Sequence, residues 1–225
     1  MAYLILNRSD YPLERILLAA LVCATTIGLP SKSGADEALD IHVQEFLDNH
    51  ARNWRDLNVP YRDGRILHEI ILENGFTQAV EIGTSTGHST IWIAWALSKT
   101  GGQLTTVEID ERRYSEALAN VAEAGLSDYV EFILGDAHEI VPRLEGSYDF
   151  VFSDADKDWY VNYFDAMYPK LTTNACFTAH NVQESRRRRR GWQTEYLAHV
   201  RATPDMHTTL HPDAQAGIAV TCKNQ

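Results

Sequence analysis

Positive charge is scarce in this sequence. It carries 20 Lys and Arg against 31 Asp and Glu, a formal net charge of −11 over 225 residues. A general nucleic-acid binder needs a basic excess to neutralise phosphates, so that class is excluded. Cysteine is scarcer still. The 3 residues, Cys23, Cys176 and Cys222, show no Cys-x-x-Cys spacing, which argues against a zinc knot and against a disulfide framework. Cys176 and Cys222 each sit in an apolar run and read as buried core thiols. Repeats and low-complexity tracts are missing, so the chain is neither a solenoid nor disordered. The dinucleotide fingerprint Gly-x-Gly-x-x-Gly is missing too, which removes the pyrophosphate cradle that those glycines build.

Two local features stand apart from this average. Residues 186–190 are consecutive arginines. They read as a contact for an anionic acceptor, as a membrane-surface patch, or as a solvated helix start. At the other end, Arg8 and Arg15 lead into a mostly apolar run over 16–29, followed by Pro30 and the small residues Ser33 and Ala35. That is the layout of a signal peptide cleaved after Ala35, with Asp10 and Glu14 diluting its positive region. The run is shorter than the ~20 apolar residues of a membrane span. An amphipathic anchor, or a start codon placed too early, has the same appearance. Residues 1–35 are therefore set apart as a signal-like or anchor-like segment that allows membrane contact or export. Residues 36–225 read as one domain.

Within that domain the hydrophobic period predicts helices over 38–57 and 64–74, then strands and helices in alternation. Strands are expected at 78–82, 104–108, 130–134, 148–153 and 175–179. The last two, 206–210 and 217–221, have no helix between them and read as an antiparallel hairpin. The expected fold is α/β: a doubly wound, Rossmann-like seven-stranded sheet, mostly parallel, with helices on both faces and the hairpin at its C-terminal end.

The first strand runs into a turn, 79–88, that reads Ala-Val-Glu-Ile-Gly-Thr-Ser-Thr-Gly-His. Gly83 and Gly87 permit a sharp turn and close backbone approach. The helix that follows offers free N–H groups and a positive dipole end. Each of the first five strands ends in something polar: Glu81, Glu108, Asp136, Asp154 and His180-Asn181. In a doubly wound sheet these ends converge on one face. Glu108 lies where a carboxylate takes the two hydroxyls of a ribose. The ligand expected is a nucleoside without phosphates.

These stretches, with Val107-Glu108-Ile109-Asp110, Gly135-Asp136-Ala137 and Asp154-Ala155-Asp156-Lys157 followed by Tyr160 and Tyr163, resemble the class I S-adenosylmethionine-dependent methyltransferases. More narrowly, they resemble the cation-dependent O-methyltransferases of the catechol and caffeoyl-CoA type. The resemblance implies that Glu81, Gly83, Thr84, Ser85, Gly87 and Ser89 surround the methionine half of S-adenosylmethionine. It places Glu108 on the ribose, Asp136 and Ala137 beside the adenine, and Asp154 between cofactor and metal. Lys157 is implied as the catalytic base beside the acceptor hydroxyl of a small, catechol-like diol. A homodimer is implied as well, and cofactor supply favours a cytoplasmic catalytic domain. The family carries an Asp-Asn pair as metal ligands where this chain has His180-Asn181. The implied metal set is Asp154, His180 and Asn181. An all-oxygen site suits Mg²⁺, and an imidazole shifts preference towards Mn or a later transition metal. Two other readings stay open: a metal-independent enzyme with His180 as its base, and a cofactor-binding homologue without catalysis.

Overall fold

The computed structural model describes residues 32–184 and 191–224. The apolar run 16–29, Cys23 and the arginines 186–190 lie outside the described residues. Among those described, no helix is long and apolar enough to cross a membrane.

Seven strands form one sheet in the order β3-β2-β1-β4-β5-β7-β6. They are β1 Gln78–Ile82, β2 Gln103–Glu108, β3 Val130–Leu134, β4 Tyr148–Ser153, β5 Leu171–His180, β6 Met206–Leu210 and β7 Ile218–Lys223. The first five are parallel to their neighbours, whereas β7 runs antiparallel to β5, and β6 to β7. The doubly wound sheet with its C-terminal hairpin is the one expected. Strand order reverses at β1, so the crevice for a ligand opens at the carboxyl ends of β1 and β4.

Side chains alternate across each strand, and the two faces bury different helices. Val80, Ile82, Val151 and Phe177 pack with α5 (Ala137–Arg143), α6 (Tyr160–Met167) and α7 (Trp192–Ala202). Ala79, Phe150, Phe152 and Cys176 face α2 (Tyr61–Asn74) and α3 (His88–Thr100). α1 (Lys32–Asn49) and α4 (Glu111–Glu123) cover the outer side of α3, which is why α3 is apolar nearly all round. Local signals agree with this layout. Gly75 closes α2 in the left-handed conformation, its N–H bonding back to Ile71 and Leu72, as αL caps do. Asp110 and Asp136 cap α4 and α5 by accepting from Arg113 N and His138 N, satisfying N–H groups that a helix start leaves free.

Three expectations need correction. The first helix starts at Lys32 and stops at Asn49 rather than spanning 38–57; Asn49 and Asn53, weak helix formers, lie where the chain turns. β5 extends to His180 rather than ending at 179, because β7 supplies ladder partners as far as His180 opposite Ile218. His180 is therefore a strand residue and not a loop residue. Finally, Cys176 and Cys222 are not free thiols: they face each other across β5 and β7 and form a disulfide. Their separation of 46 residues hid this, since only the returning hairpin sets them side by side.

Closing a loop of this size stabilises a fold by ~2–4 kcal/mol, chiefly by restricting the unfolded chain. A Cys176→Ser, Cys222→Ser double variant is expected to lose about that much in urea denaturation. Thiol titration of the denatured, unreduced protein should find Cys23 alone. Three reactive thiols would show that the bridge does not form.

Candidate active site

The turn after β1 and the turn after β4 are pressed together. Asp154 N donates to Ile82 O at 2.9 Å. A Cβ on Gly83, which has φ +98°, would lie 2.9 Å from Ala155 N. Only glycine fits there, both for conformation and for space. Gly87, also at positive φ, caps α3, and Ser85 adopts the left-handed conformation without being glycine. Ser85 is held so by its N–H, which donates to Glu108 Oε2 at 2.7 Å, and by its hydroxyl, which donates to Asp56 O. Glu108 Oε1 accepts from Ile109 N and Asp110 N at 3.1 and 2.9 Å. Three backbone donors thus set this carboxylate in place at the end of β2.

In front of Glu108 opens a cavity of about 190 Å³, whose lining includes Gly83, Glu108, Asp136, Ala137, Ala155 and Tyr163. Thr84, Ser85, Gly87 and Ser89 build the turn and helix start behind it. Its rim holds a pair absent from the sequence reading. His138 stacks on Trp159 with centroids 3.7 Å apart and an interplanar angle of 12°. His138 Nε2 also lies 2.6 Å from Asp156 Oδ2. Trp159 also packs beside Tyr163, a residue of the cavity lining, with ring centroids 6.0 Å apart. Trp192 packs edge-on to Tyr160 at 5.2 Å.

Beneath the turn, Glu81 is fully buried. Its Oε2 accepts the hydroxyls of Thr90 and Thr106 at 2.5 and 2.7 Å, and its Oε1 has no partner. Burial pushes its pKa up to about 7 against the opposing pull of the Ser89, Thr106 and Thr90 hydroxyls, with the charge of Asp154 adding to the rise.

A second cavity, about 300 Å³, is lined by Leu57, Asn58, Asp154, Ala155, Lys157, His180 and Asn181. Ala155 lines both cavities, so they meet at the β1/β4 mouth. Lys157 Nζ donates to Asp154 Oδ1 at 2.5 Å and to Tyr160 Oη at 2.9 Å. His180 is buried between two carboxylates. Its Nε2 is 2.9 Å from Asp63 Oδ2, and its Nδ1 is 3.1 Å from Asp154 Oδ2, a close ion pair off the line of a hydrogen bond. Asp63, on α2, is itself fully buried and accepts from Gln215 N and Ala216 N at 2.6 and 3.0 Å. α2 comes near enough because its next residue is Gly64, where a Cβ would stand 2.2 Å from Trp92 Cδ1. Nothing in the sequence marks Asp63, which is 117 positions from its partner.

A family model described as O-methyltransferase matches residues 32–182. The chain belongs to this O-methyltransferase family. Among similar proteins, a catechol O-methyltransferase of Niastella koreensis is 43% identical over 89 residues, covering 38% of this chain and 40% of that one. A caffeoyl-CoA O-methyltransferase of Stellaria longipes is 36% identical over 96 residues, covering 40% and 39%. The matches thus span about two fifths of these relatives. Among solved structures, an O-methyltransferase from Bacillus cereus in complex with SAH aligns with TM-score 0.68 and 24% identity, over 88% of this chain and 94% of that one. The O-methyltransferase TomG from Streptomyces achromogenes, in complex with SAM, aligns with TM-score 0.65 and 23% identity, over 82% and 90%. These two share its fold.

In this member of the O-methyltransferase family, the expected metal set, Asp154, His180 and Asn181, lines one cavity. Asp154 and His180 are turned on each other. Burial works against a charged His180, but hydrogen bonding and charge from Asp154 and Asp63 together outweigh it and raise the pKa to about 9. The same contacts, with the two backbone donors, hold Asp63 below the usual carboxylate range despite its burial.

Because the folded-state pKa of His180 exceeds its ordinary 6.5, the folded protein binds the extra proton between those values. The resulting stabilisation is fully present below pH 6.5 and is lost as pH rises through about 9. Urea denaturation across this window should show wild type losing stability relative to His180→Gln, by on the order of 3 kcal/mol. Parallel profiles would refute the raised pKa of His180.

Proposed function

We propose that this protein transfers the methyl group of S-adenosylmethionine to a hydroxyl of a small, catechol-like acceptor. The observation that carries the reading is the pair of cavities joined at Ala155, one fronted by Glu108 and Asp136, the other by Asp154 and Lys157. The family assignment supports it, as do the names of the relatives and the SAH and SAM bound in similar folds.

The residues present fit the cofactor. Glu81 Oε1 is a buried acceptor without a protein partner, as an α-amino group requires. Gly83 leaves open the space that any side chain would take against Ala155. Glu81, Gly83, Thr84 and Ser89 would hold the methionine half, Glu108 the ribose diol, and Asp136 and Ala137 the adenine. When bound, the cofactor supplies a methyl group already activated on a sulfonium.

The chain's own task is to orient the acceptor and take its proton. Lys157 Nζ lies on the acceptor side, fixed by Asp154 and by Tyr160, whose own hydroxyl donates to His180 O at 3.2 Å. We assign the hydroxyl proton to Lys157 in its neutral amine form, in which Nζ has a lone pair to accept it, a general-base role worth ~10²–10⁴ in rate. Leu57 and Asn58 wall the acceptor cavity from the segment before α2, narrowing the poses that bring oxygen in line with the methyl group. Asp154, His180 and Asn181 line the acceptor cavity, and His180 Nδ1 is a buried nitrogen without a hydrogen-bond partner; these residues would hold a divalent cation, which would supply a Lewis acid to the acceptor hydroxyl.

Calorimetry with S-adenosylmethionine and S-adenosylhomocysteine, combined with mass spectrometry of a catechol panel, tests this reading. Glu108→Ala is expected to weaken cofactor binding by ~10-fold or more, the loss of a charged hydrogen-bond pair. Lys157→Met should keep cofactor affinity and lose ~10²–10⁴ in kcat. If neither nucleoside binds, the proposal fails. Binding without transfer to any acceptor would make the chain a cofactor-binding protein instead.

A further inference from the structure

Residues 50–60 join α1 to α2 and cross the functional end of the molecule as an irregular strap. Such a segment needs tethers to keep one conformation, because fixing each residue costs conformational entropy. Here the tethers run to the cofactor side. Asp56 is held by two arginines of α4: Arg112 Nη2 donates to its Oδ2, and Arg113 Nη2 to its Oδ1 at 3.0 Å. The Asp56 carbonyl accepts the hydroxyl of Ser85, whose N–H is on Glu108. Two residues on, Asn58 Nδ2 donates to Thr86 Oγ1 at 2.8 Å and to Asp56 O at 3.0 Å. Val59 O lies 2.9 Å from His88 Nδ1. Between these anchors Leu57 is 72% exposed and held at φ +53°, a left-handed conformation unfavourable for a residue with a side chain of this size. It lines the acceptor cavity with Asn58 beside it. A strained, exposed apolar side chain at a cavity mouth adds nothing to the core, and it is stabilised when a ligand covers it.

We propose that Asp56, gripped by Arg112 and Arg113, is the positioning residue for the acceptor wall: it pins the strap to α4 so that Leu57 closes on an apolar ring in the cavity. The inference rests on the methyl-transfer reading but concerns a separate property, the group outside both cavities that fixes the acceptor's pose. Asp56, Arg112 and Arg113 stand outside the lining of both cavities. Exposed ion pairs add little to global stability, and Arg112 and Asp56 are 61% and 36% exposed, so removing the clamp leaves the fold intact and acts on the strap. The double grip, one guanidinium on each carboxylate oxygen, fixes direction as well as distance. The corner that holds the strap also holds Glu108, which accepts from Ile109 N and Asp110 N just before α4. A ligand on Glu108 and a ligand under Leu57 are thus referred to the same rigid helix start.

The test starts from an Arg112→Met, Arg113→Met double variant, which leaves the strap's own sequence intact. Hydrogen exchange of the full chain, read by mass spectrometry over 53–59, is expected to speed up by ~3- to 5-fold, the scale of an exposed ion-pair network. With the most active catechol of the panel as acceptor, KM should rise by a similar ~3- to 5-fold in this variant and in Asp56→Ala. We expect kcat and S-adenosylhomocysteine affinity to stay at wild-type values, and Asp56→Glu to restore part of the lost KM. Leu57→Gly should raise the acceptor KM by ~10-fold, because the apolar cover is lost. Its urea midpoint should not fall, since glycine adopts positive φ without strain. Wild-type exchange over 53–59 in the double variant would overturn the clamp, and a wild-type KM in Leu57→Gly would overturn the contact it positions. An equal loss of S-adenosylhomocysteine affinity in Asp56→Ala would also overturn the proposal, by assigning the clamp to the cofactor. Failure of S-adenosylhomocysteine to bind wild type, or of every catechol to be methylated, would instead strike the methyl-transfer reading and leave the exchange result to decide the clamp.

Discussion

The close contact between the turns after β1 and β4 governs the functional end of this molecule. The ladder continues one residue past the strands, through Asp154 N to Ile82 O, and Gly83 lies directly on Ala155. That contact divides the crevice at the strand-order reversal into two cavities with one shared wall residue. A ligand in one is then necessarily beside a ligand in the other. For a reaction between two bound molecules, this proximity is the main contribution a scaffold makes.

Charge is handled differently on the two sides. Towards the first cavity, carboxylates are satisfied by neutral donors: Glu108 by three backbone N–H groups, and one oxygen of Glu81 by two threonine hydroxyls. Both retain acceptor capacity, because a carboxylate has about four lone-pair sites. On the acceptor side the carboxylates Asp154 and Asp63 are met by basic side chains, Lys157 and His180. Burying those carboxylates without partners would be costly, so removing either partner leaves an uncompensated charge. The disulfide between β5 and β7 lies on the strand that delivers His180, so the hairpin both braces that strand and, through Gln215 and Ala216, holds Asp63.

The fold was largely legible because its signals are local and periodic. The short, mostly apolar runs at 78–82 and 148–153, the proline and glycine stops, and the missing helix between the last two strands are properties of neighbouring residues. The glycine turn, Glu108 and Asp136 were legible for the same reason, as each is placed by its own strand end. The extent of β5 was not, since it depends on partners in β7. Nor was the pairing of Cys176 with Cys222, the stacking of His138 on Trp159, or the approach of Asp63. Each joins segments whose relative placement is decided by packing, and Asp63 also needs a glycine next to it to come near enough.

Taken alone, the sequence determined the α/β class, a doubly wound sheet ending in an antiparallel hairpin, the polar strand ends that face the crevice and the resemblance to O-methyltransferases. All of these follow from short-range patterns of polarity and turn chemistry. Only the tertiary structure decided the state of His180. A histidine beside an asparagine reads equally as ligand, base or bystander. Its ionisation and free valence depend on what lies within ~4 Å, where opposite charges act most strongly. Asp63 and Asp154 reach that distance only when α2, β4 and β5 are packed together.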